Sequence, residues 1–214
     1  MSWLPLLLVV IAYLIGSIPF SFIVARLVIK DDIRKQGSGN VGATNVLRNA
    51  GRVPGAIALL LDIFKGIGAV MLTRWALTLP AWPYGYGVHG DPLGADTFWI
   101  GLTALMAVLG HMFPVWLGFH GGKGVATATG AFVAVHPTAM GLAFIVFLLT
   151  VTTTRYISLG SMLAAVSIPL IIRFVVRGTL WEVVFTTLIA AIVIVKHHSN
   201  IARLARGEER KFPS

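Results

Sequence analysis

The chain contains no cysteine. Disulfides, thiolate nucleophiles, enzyme-bound thioesters and cysteine-ligated metals are excluded together. Charge is scarce as well. Charged residues are 12% of the 214 positions and hydrophobic residues 57%, whereas a soluble domain carries about 25% charged residues. A water-soluble globular fold is excluded. So is disorder, because the apolar content is far too high. Acidic residues are the scarcest: 8 Asp and Glu stand against 17 Lys and Arg, giving a formal net charge of +9. No basic n-region precedes the first apolar stretch, which therefore reads as a membrane span and not as a cleavable signal peptide. No internal repeat and no low-complexity segment is visible.

What is present is apolar length. A helix needs about 20 apolar residues to cross a bilayer core. The expected spans are 3–29, 53–79, 97–117, 125–135, 137–153, 156–176 and 179–195, with a basic tail at 196–214. The run 125–153 would reach about 43 Å as one helix, too long for an ordinary span, and His136-Pro137 divides it. Residues 30–52 read as a polar loop and 80–96 as an interfacial one. The expectation is a single all-α polytopic domain over 1–214, with seven transmembrane helices, some short or broken. Seven spans put Arg26, Lys30, Arg34, Lys35, Arg48, Arg52, Lys123, Arg155, Lys196, Arg203, Arg206, Arg210 and Lys211 on one side, 13 of the 17 basic residues. That side is then the cytoplasm, with the N-terminus outside and the C-terminus inside.

Three segments on that side are too polar to be mere connectors. The first is Gly37-Ser38-Gly39-Asn40-Val41-Gly42-Ala43-Thr44-Asn45, followed by Arg48. Its glycines let backbone approach a ligand and turn N–H groups toward an anion, and Arg48 can pair with phosphate. The second is Gly110-His111-Met112-Phe113-Pro114 with Phe119-His120-Gly121-Gly122-Lys123-Gly124-Val125-Ala126-Thr127. It is not a Walker A loop, but free N–H groups, a helix N-terminus and an ammonium converge there in the same way. The third is His197-His198-Ser199-Asn200-Ile201, then Arg203, Gly207, Glu208 and Glu209. There His197 and Asn200 would share a helix face. The bland alternatives are a solvated loop, a positive-inside anchor and a tail held by anionic lipid. The last fits Arg206, Arg210 and Lys211.

Asp62 and Lys65 lie inside the second span, where charge needs a partner, and their spacing makes a self-neutralising pair. A structural and a functional role stay open for them. His111 stands open between packing and catalysis. His89, His120 and His136 read as interfacial or structural. No paired helical His spacing with carboxylates suggests a metal.

Together these three segments resemble the motifs of the bacterial acyl-phosphate:glycerol-3-phosphate acyltransferases. The resemblance covers nearly the whole chain, in length, span number and motif order. It implies an integral enzyme of the bacterial cytoplasmic (inner) membrane with its active site on the cytoplasmic face. Such an enzyme carries out the first acylation of phospholipid synthesis. It moves a fatty acyl group from acyl phosphate to the 1-hydroxyl of sn-glycerol 3-phosphate, giving lysophosphatidic acid and phosphate. Its partners would be those two substrates and membrane lipid, with no nucleic acid, no metal and no cofactor. One departure is visible: the family's third motif reads His-Arg before the Asn, whereas His197-His198 stands here. The His-x4-Asp signature of other glycerolipid acyltransferases is absent. Gly94, Trp116, Val125, Gly141, Ala202 and Arg203 occupy the fifth position after the six histidines.

On that resemblance, Arg48 and Lys123 would grip the glycerol phosphate, with His197, Asn200 and Ser38 completing its cage. Gly39, Gly121, Gly122, Gly124 and Thr127 belong to the same substrate-binding set. Asn40, Asn45 and loop N–H groups would polarise the acyl carbonyl or hold the leaving phosphate. The catalytic set is His197, Ser38 and Asn40. Two mechanisms stay open: direct attack by the glycerol hydroxyl with its proton passing to a substrate phosphate, and His197 as general base. An organophosphate transporter and a lipid-binding scaffold are the competing classes. Polar motifs on one face and the lack of a repeat argue against the first, and Gly-Gly-Lys-Gly against the second.

Overall fold

The structure, a computed structural model, describes residues 3–82 and 94–212. His89 and most of the expected interfacial loop 80–96 lie outside the described residues. Every regular element among the described residues is helical, and the chain forms two compact units, Met1–Val135 and His136–Ser214.

The first unit contains α1 (Leu4–Ser17), α2 (Phe20–Ile29), α3 (Ala43–Ala50), α4 (Arg52–Leu77), α5 (Ala95–Met112) and α6 (Val125–Val135). Pro19 has no N–H to continue the ladder and sits at the break between α1 and α2. Pro114 disfavours helical backbone at Phe113, and α5 stops at Met112 although the apolar stretch runs on to the expected 117. A short 3₁₀ turn at Val115–Leu117 follows. α4 is the central element, packing against α2, α3, α5 and α6, while α5 also lines α1.

These contacts are made by small residues. Ala12, Ala69 and Ala107 form one buried cluster. Gly16 lies on the Ala107 backbone, Gly110 on the Tyr13 carbonyl, Gly66 on the Thr127 carbonyl and Gly130 on the Ile63 carbonyl, all too close for a Cβ. Large apolar side chains point the other way: Leu27, Val53, Phe64 and Trp75 are all more than half exposed. Small inside and large outside suits a bundle in lipid, where tails already satisfy apolar surface and close backbone packing holds helices together.

The second unit contains α7 (Pro137–Thr154), α8 (Ile157–Ile171), α9 (Leu180–Lys196) and α10 (His198–Ala205). α7 opens at Pro137, where the sequence placed its breaker, with His136 as N-cap. α8 carries Pro169 and gives way to a π-helical turn at Ile172–Val176, so the expected span to 176 is not one continuous α-helix. Thr179 and Glu182 close a capping box at the start of α9. α10 departs from α9 at 57°. Beyond it the chain returns: the Phe212 N–H donates to the Arg155 carbonyl at 2.7 Å and Arg155 Nε to the Phe212 carbonyl at 3.1 Å.

Among the described residues, five helical stretches are long and apolar enough to cross a bilayer, Leu4–Ile29, Arg52–Leu77, Ala95–Leu117, Pro137–Thr154 and Ile157–Val176, and α9 with α10 makes six if that bent pair is one span. α6, with 11 residues, reaches about 16 Å, roughly half the apolar core.

The α4–α6 contact predicts opposite outcomes for two glycines of the first unit. A Cβ on Gly130 would overlap Ile63 backbone, whereas one on Gly68 meets nothing within 4 Å. Gly130→Ala should cost about 1–3 kcal/mol of stability. Gly68→Ala should be neutral or stabilise by up to about 1 kcal/mol. Thermal unfolding in detergent micelles measures both. Equal effects would mean that the α4–α6 contact is not made as described.

Candidate active site

The first glycine-rich segment is held by apolar pins. Ile33, Val41 and Val46 pack with Ala25 and Ala58 into a buried cluster, fixing both ends of the loop and one face of α3. The whole of 30–52 reads as loop in the sequence, yet 43–50 is helical. Its short amphipathic pattern is masked by the glycines before it. Asp32 caps the 3₁₀ turn Ile33–Lys35 and takes two bonds to Arg34 Nε and Nη2 at 3.0 and 2.7 Å. The Arg34 guanidinium, then its backbone N–H, hold the Asp32 carboxyl down to about 2. Arg34 is thereby neutralised.

Within the loop the Asn45 amide is the organiser. It is buried, its Nδ2 faces the carbonyls of Asn40, Gln36 and Ile33 at 2.9, 3.1 and 3.3 Å, and its Oδ1 accepts the Ser38 N–H at 3.1 Å. Sequence reasoning gives Asn45 a substrate contact. Its amide instead satisfies loop backbone, so it frames the loop. Gly37 is in the left-handed region at φ +58°, and a side chain there would strike Asn45 Oδ1 and Asn49 Nδ2. Asn40 Oδ1 accepts the Gly42 N–H at 2.7 Å, just before α3. Ser38 and Gly39 are left exposed, and Arg48 is half-buried on the last turn of α3.

The second glycine-rich segment folds back on the end of α5. The Gly121 and Gly122 N–H groups donate to the Met112 and His111 carbonyls at 3.1 and 3.2 Å. Gly124, at φ +81°, turns the chain into α6, and its carbonyl accepts the Ala128 N–H at 2.8 Å. Lys123 is half-buried at this helix N-terminus, where backbone dipoles favour an anion. Thr127, one turn on, is fully buried, and its Oγ1 has no hydrogen-bond partner among the described residues.

A buried polar cluster joins these elements. Asp62 and Lys65 on α4 form the expected pair, with Oδ1 and Nζ 2.8 Å apart. Lys65 Nζ also donates to the Ile18 carbonyl at 2.8 Å, at the α1–α2 break. Ser21 Oγ donates to Asp62 Oδ2 at 2.5 Å, and His111 Nδ1 lies 3.6 Å from Asp62 Oδ1. Ser17, Ser21, Asp62, Lys65 and His111 share the lining of a recess of about 10 Å³. Nothing in the spacing of Ser21 and Asp62, 41 residues apart, signals that they meet.

In the second unit, His197 and Asn200 are both buried at the α9–α10 bend. His197 Nδ1 lies 2.8 Å from the Val193 carbonyl. A carbonyl only accepts, so Nδ1 bears the proton there and Nε2 is the basic nitrogen. His198, where the family has Arg, is exposed, its Nδ1 3.1 Å from the Val195 carbonyl. Asn200 Nδ2 donates to Glu209 Oε1 at 2.6 Å. Ser158 Oγ reaches the same oxygen at 2.7 Å, and Arg203 Nε reaches Oε2 at 2.7 Å. Sequence reasoning assigns Glu209 no role, although it orients Asn200. Its position in the third motif was the available signal. His120 Nδ1 sits 2.6 Å from the Gly118 carbonyl, and His136 Nε2 3.5 Å from Glu182 Oε1. Both contacts are structural. No group of three or more His, Asp or Glu able to hold a metal occurs among the described residues.

The model of the glycerol-3-phosphate acyltransferase family matches residues 6–207. Glycerol-3-phosphate acyltransferases of Trichlorobacter lovleyi and Geobacter sulfurreducens are 47% and 44% identical to the chain, over 94% and 97% of each sequence. That of Desulforamulus reducens is 43% identical over 96% of this chain and 94% of its own. Among solved structures, PlsY (YgiH), an integral membrane glycerol 3-phosphate acyltransferase, is similar in its glycerol 3-phosphate form at a TM-score of 0.85 and 38% identity. That match covers 97% of this chain and 95% of the other. Its lysophosphatidic acid form gives 0.82.

The Glu209 bracket has a pH signature. Burial raises its carboxyl pKa, but bonds from Ser158, Asn200 and Arg203 outweigh burial and leave it below the ordinary 4.5. A depressed folded pKa stabilises above the unfolded value and is lost as pH falls through the folded one. Hydrogen-exchange protection of α10 should therefore hold from neutral pH down to the ordinary carboxylate range and fall only below it. Glu209→Ala should lose that protection at every pH. Protection in Glu209→Ala equal to the parent's would remove the bracket.

Proposed function

The chain belongs to the glycerol-3-phosphate acyltransferase family, and from that premise we propose that its acyl donor is acyl phosphate and its product lysophosphatidic acid. Lys123, set between two glycines at the N-terminus of α6, is the observation that carries the reading. Two phosphate-bearing substrates repel each other, and backbone donors plus fixed cations offset that repulsion. In this reading Lys123, Arg48, Ser38 and the backbone N–H of Gly124 hold phosphate, while Gly39, Gly121 and Gly122, whose N–H groups are bonded to the Gln36, Met112 and His111 carbonyls, let the backbone come close to it. Asn40 and Asn45 keep the first loop in shape, and Thr127 backs the second.

The chemistry needs little activation, because acyl phosphate is a mixed anhydride with a good leaving group. The glycerol 1-hydroxyl oxygen attacks the acyl carbon, the bond from that carbon to the phosphate oxygen breaks, and the hydroxyl proton passes to a phosphate oxygen. Positioning and electrostatic stabilisation then supply the rate enhancement. His197 Nε2 is the alternative proton acceptor, and Asn200 belongs to the same functional group of residues. The reading calls for no metal and no cofactor. It places the protein in the bacterial cytoplasmic (inner) membrane as seven spans, with α6 the short one, the N-terminus outside and the catalytic loops and tail inside. The side bias of the basic residues supports that orientation.

Purified protein with glycerol 3-phosphate should form lysophosphatidate and release phosphate from acyl phosphate, and give no product from acyl-CoA. Lys123→Ala and Arg48→Ala should each lower kcat/KM by at least about a hundredfold while inserting normally. Product from acyl-CoA alone would overturn the donor assignment, and full activity in either variant the phosphate contacts.

The absence of native cysteine makes orientation directly measurable. Gln36→Cys and Arg210→Cys should react with an impermeant thiol reagent only after the membrane is opened, whereas Trp3→Cys should react in intact cells. Labelling of Arg210→Cys from outside would reverse the topology.

A further inference from the structure

His111 sits between the Asp62 carboxylate on α4 and the second glycine-rich segment. On one side its Nδ1 faces Asp62 Oδ1 at 3.6 Å. On the other, Nε2 points at Gly122. A methyl group placed on Gly122 would overlap Nε2 and crowd the two ring carbons beside it. The ring is buried, and Gly122 is buried with it. The His111 main chain closes the same contact, its carbonyl taking the Gly122 N–H at 3.2 Å.

We propose that His111 is a positioning residue for glycerol 3-phosphate: Asp62 fixes its imidazole, and the Nε2 edge sets where residues 121–124 present their backbone and Lys123 to phosphate. A carboxylate on the Nδ1 side favours a proton there and turns the Nε2 edge toward the loop. Asp62 is itself tied to Lys65, to Ser21 and, through Lys65, to the Ile18 carbonyl. The loop is thus referenced to three helices and not only to the one it follows. His111 touches neither reacting atom in this scheme. Its effect passes through Gly122, so it alters binding of glycerol 3-phosphate and not the chemical step. The inference rests on the reading that residues 121–124 hold phosphate, and it is independent of the acyl donor.

Two amide side chains separate the edges of the ring. Gln places a polar atom near the Nε2 position, and Asn places one near Nδ1. His111→Leu and His111→Asn should raise KM for glycerol 3-phosphate about tenfold, the effect of a displaced loop, with kcat at saturation within about twofold. His111→Gln should recover most of that loss. Asp62→Leu combined with Lys65→Met removes the charges as a pair and should raise KM by a similar factor. Calorimetric titration of each purified variant with glycerol 3-phosphate should show the same order without turnover. A parent protein that binds glycerol 3-phosphate in calorimetry but makes no product from acyl phosphate would defeat the donor reading and leave this inference standing. Equal KM in the Asn and Gln variants would overturn it, as would lowered kcat at unchanged KM, or parent-like binding in His111→Leu.

Discussion

Asp62 and Lys65 are opposite charges buried one turn apart in an apolar helix, and neither is tolerable there without the other. Leaving one unpaired costs about 3–5 kcal/mol even in a soluble protein. Together they also serve what surrounds them. Lys65 donates to the Ile18 carbonyl, which at the break also takes the Phe20 N–H at 3.0 Å. Asp62 takes the Ser21 hydroxyl at the start of α2 and faces His111 at the end of α5. One ion pair thus fixes the break in the first apolar stretch and the helix end from which the second glycine-rich segment turns back.

That arrangement needs close helices, and composition supplies them. In the first unit glycine and alanine face one another where α4 meets α6 and where α1 meets α5. Their backbones approach to distances that a larger residue forbids. On α1 and α4, Leu6, Leu7, Leu59, Leu60 and Phe64 are exposed instead. The loops follow a different rule. Residues 37–45 depend on Ile33, Val41 and Val46 for anchorage and on Asn45 for internal hydrogen bonds. A glycine-rich segment with so many apolar and amide supports is a fixed backbone surface. An anion site built from N–H groups requires one.

Local features were legible in the sequence, and remote ones were not. The break at His136-Pro137, the i,i+3 ion pair on α4 and the helix that begins after Gly-Gly-Lys-Gly are each set by residues within a turn of one another. The motifs therefore coincide with the two glycine-rich loops and the α9–α10 bend. Helix α3 was hidden because eight residues give too little period beside a glycine run. The functions of Asn45 and Glu209 were hidden for another reason. Each depends on which groups the folded backbone brings within bonding distance: for Asn45 the carbonyls of Ile33 and Gln36, for Glu209 the hydroxyl of Ser158. The motifs mark both residues, but neither bonding choice can be read from the neighbouring letters. The His111–Asp62 contact spans 49 positions, and only the packing of α4 on α5 reveals it.

The same distinction changes the meaning of the net charge. A count of +9 treats every basic residue alike, but their surroundings differ. Arg34 is neutralised by Asp32, Arg203 by Glu209, Arg206 by Glu208 and Lys65 by Asp62. Most of the eight acids are thus engaged in pairs or, like Glu182, in a helix cap. Residues 37–45 and 118–127 contain no acid at all. Where carboxylates occur they brace structure, and where the backbone is shaped for an anion they are left out. A phosphate approaching Lys123 therefore meets an ammonium and helix N–H groups with no carboxylate within the same loop to oppose it. The proposed orientation in the membrane rests on the excess charge, and the placement of the few acids determines which part of that excess is left unopposed.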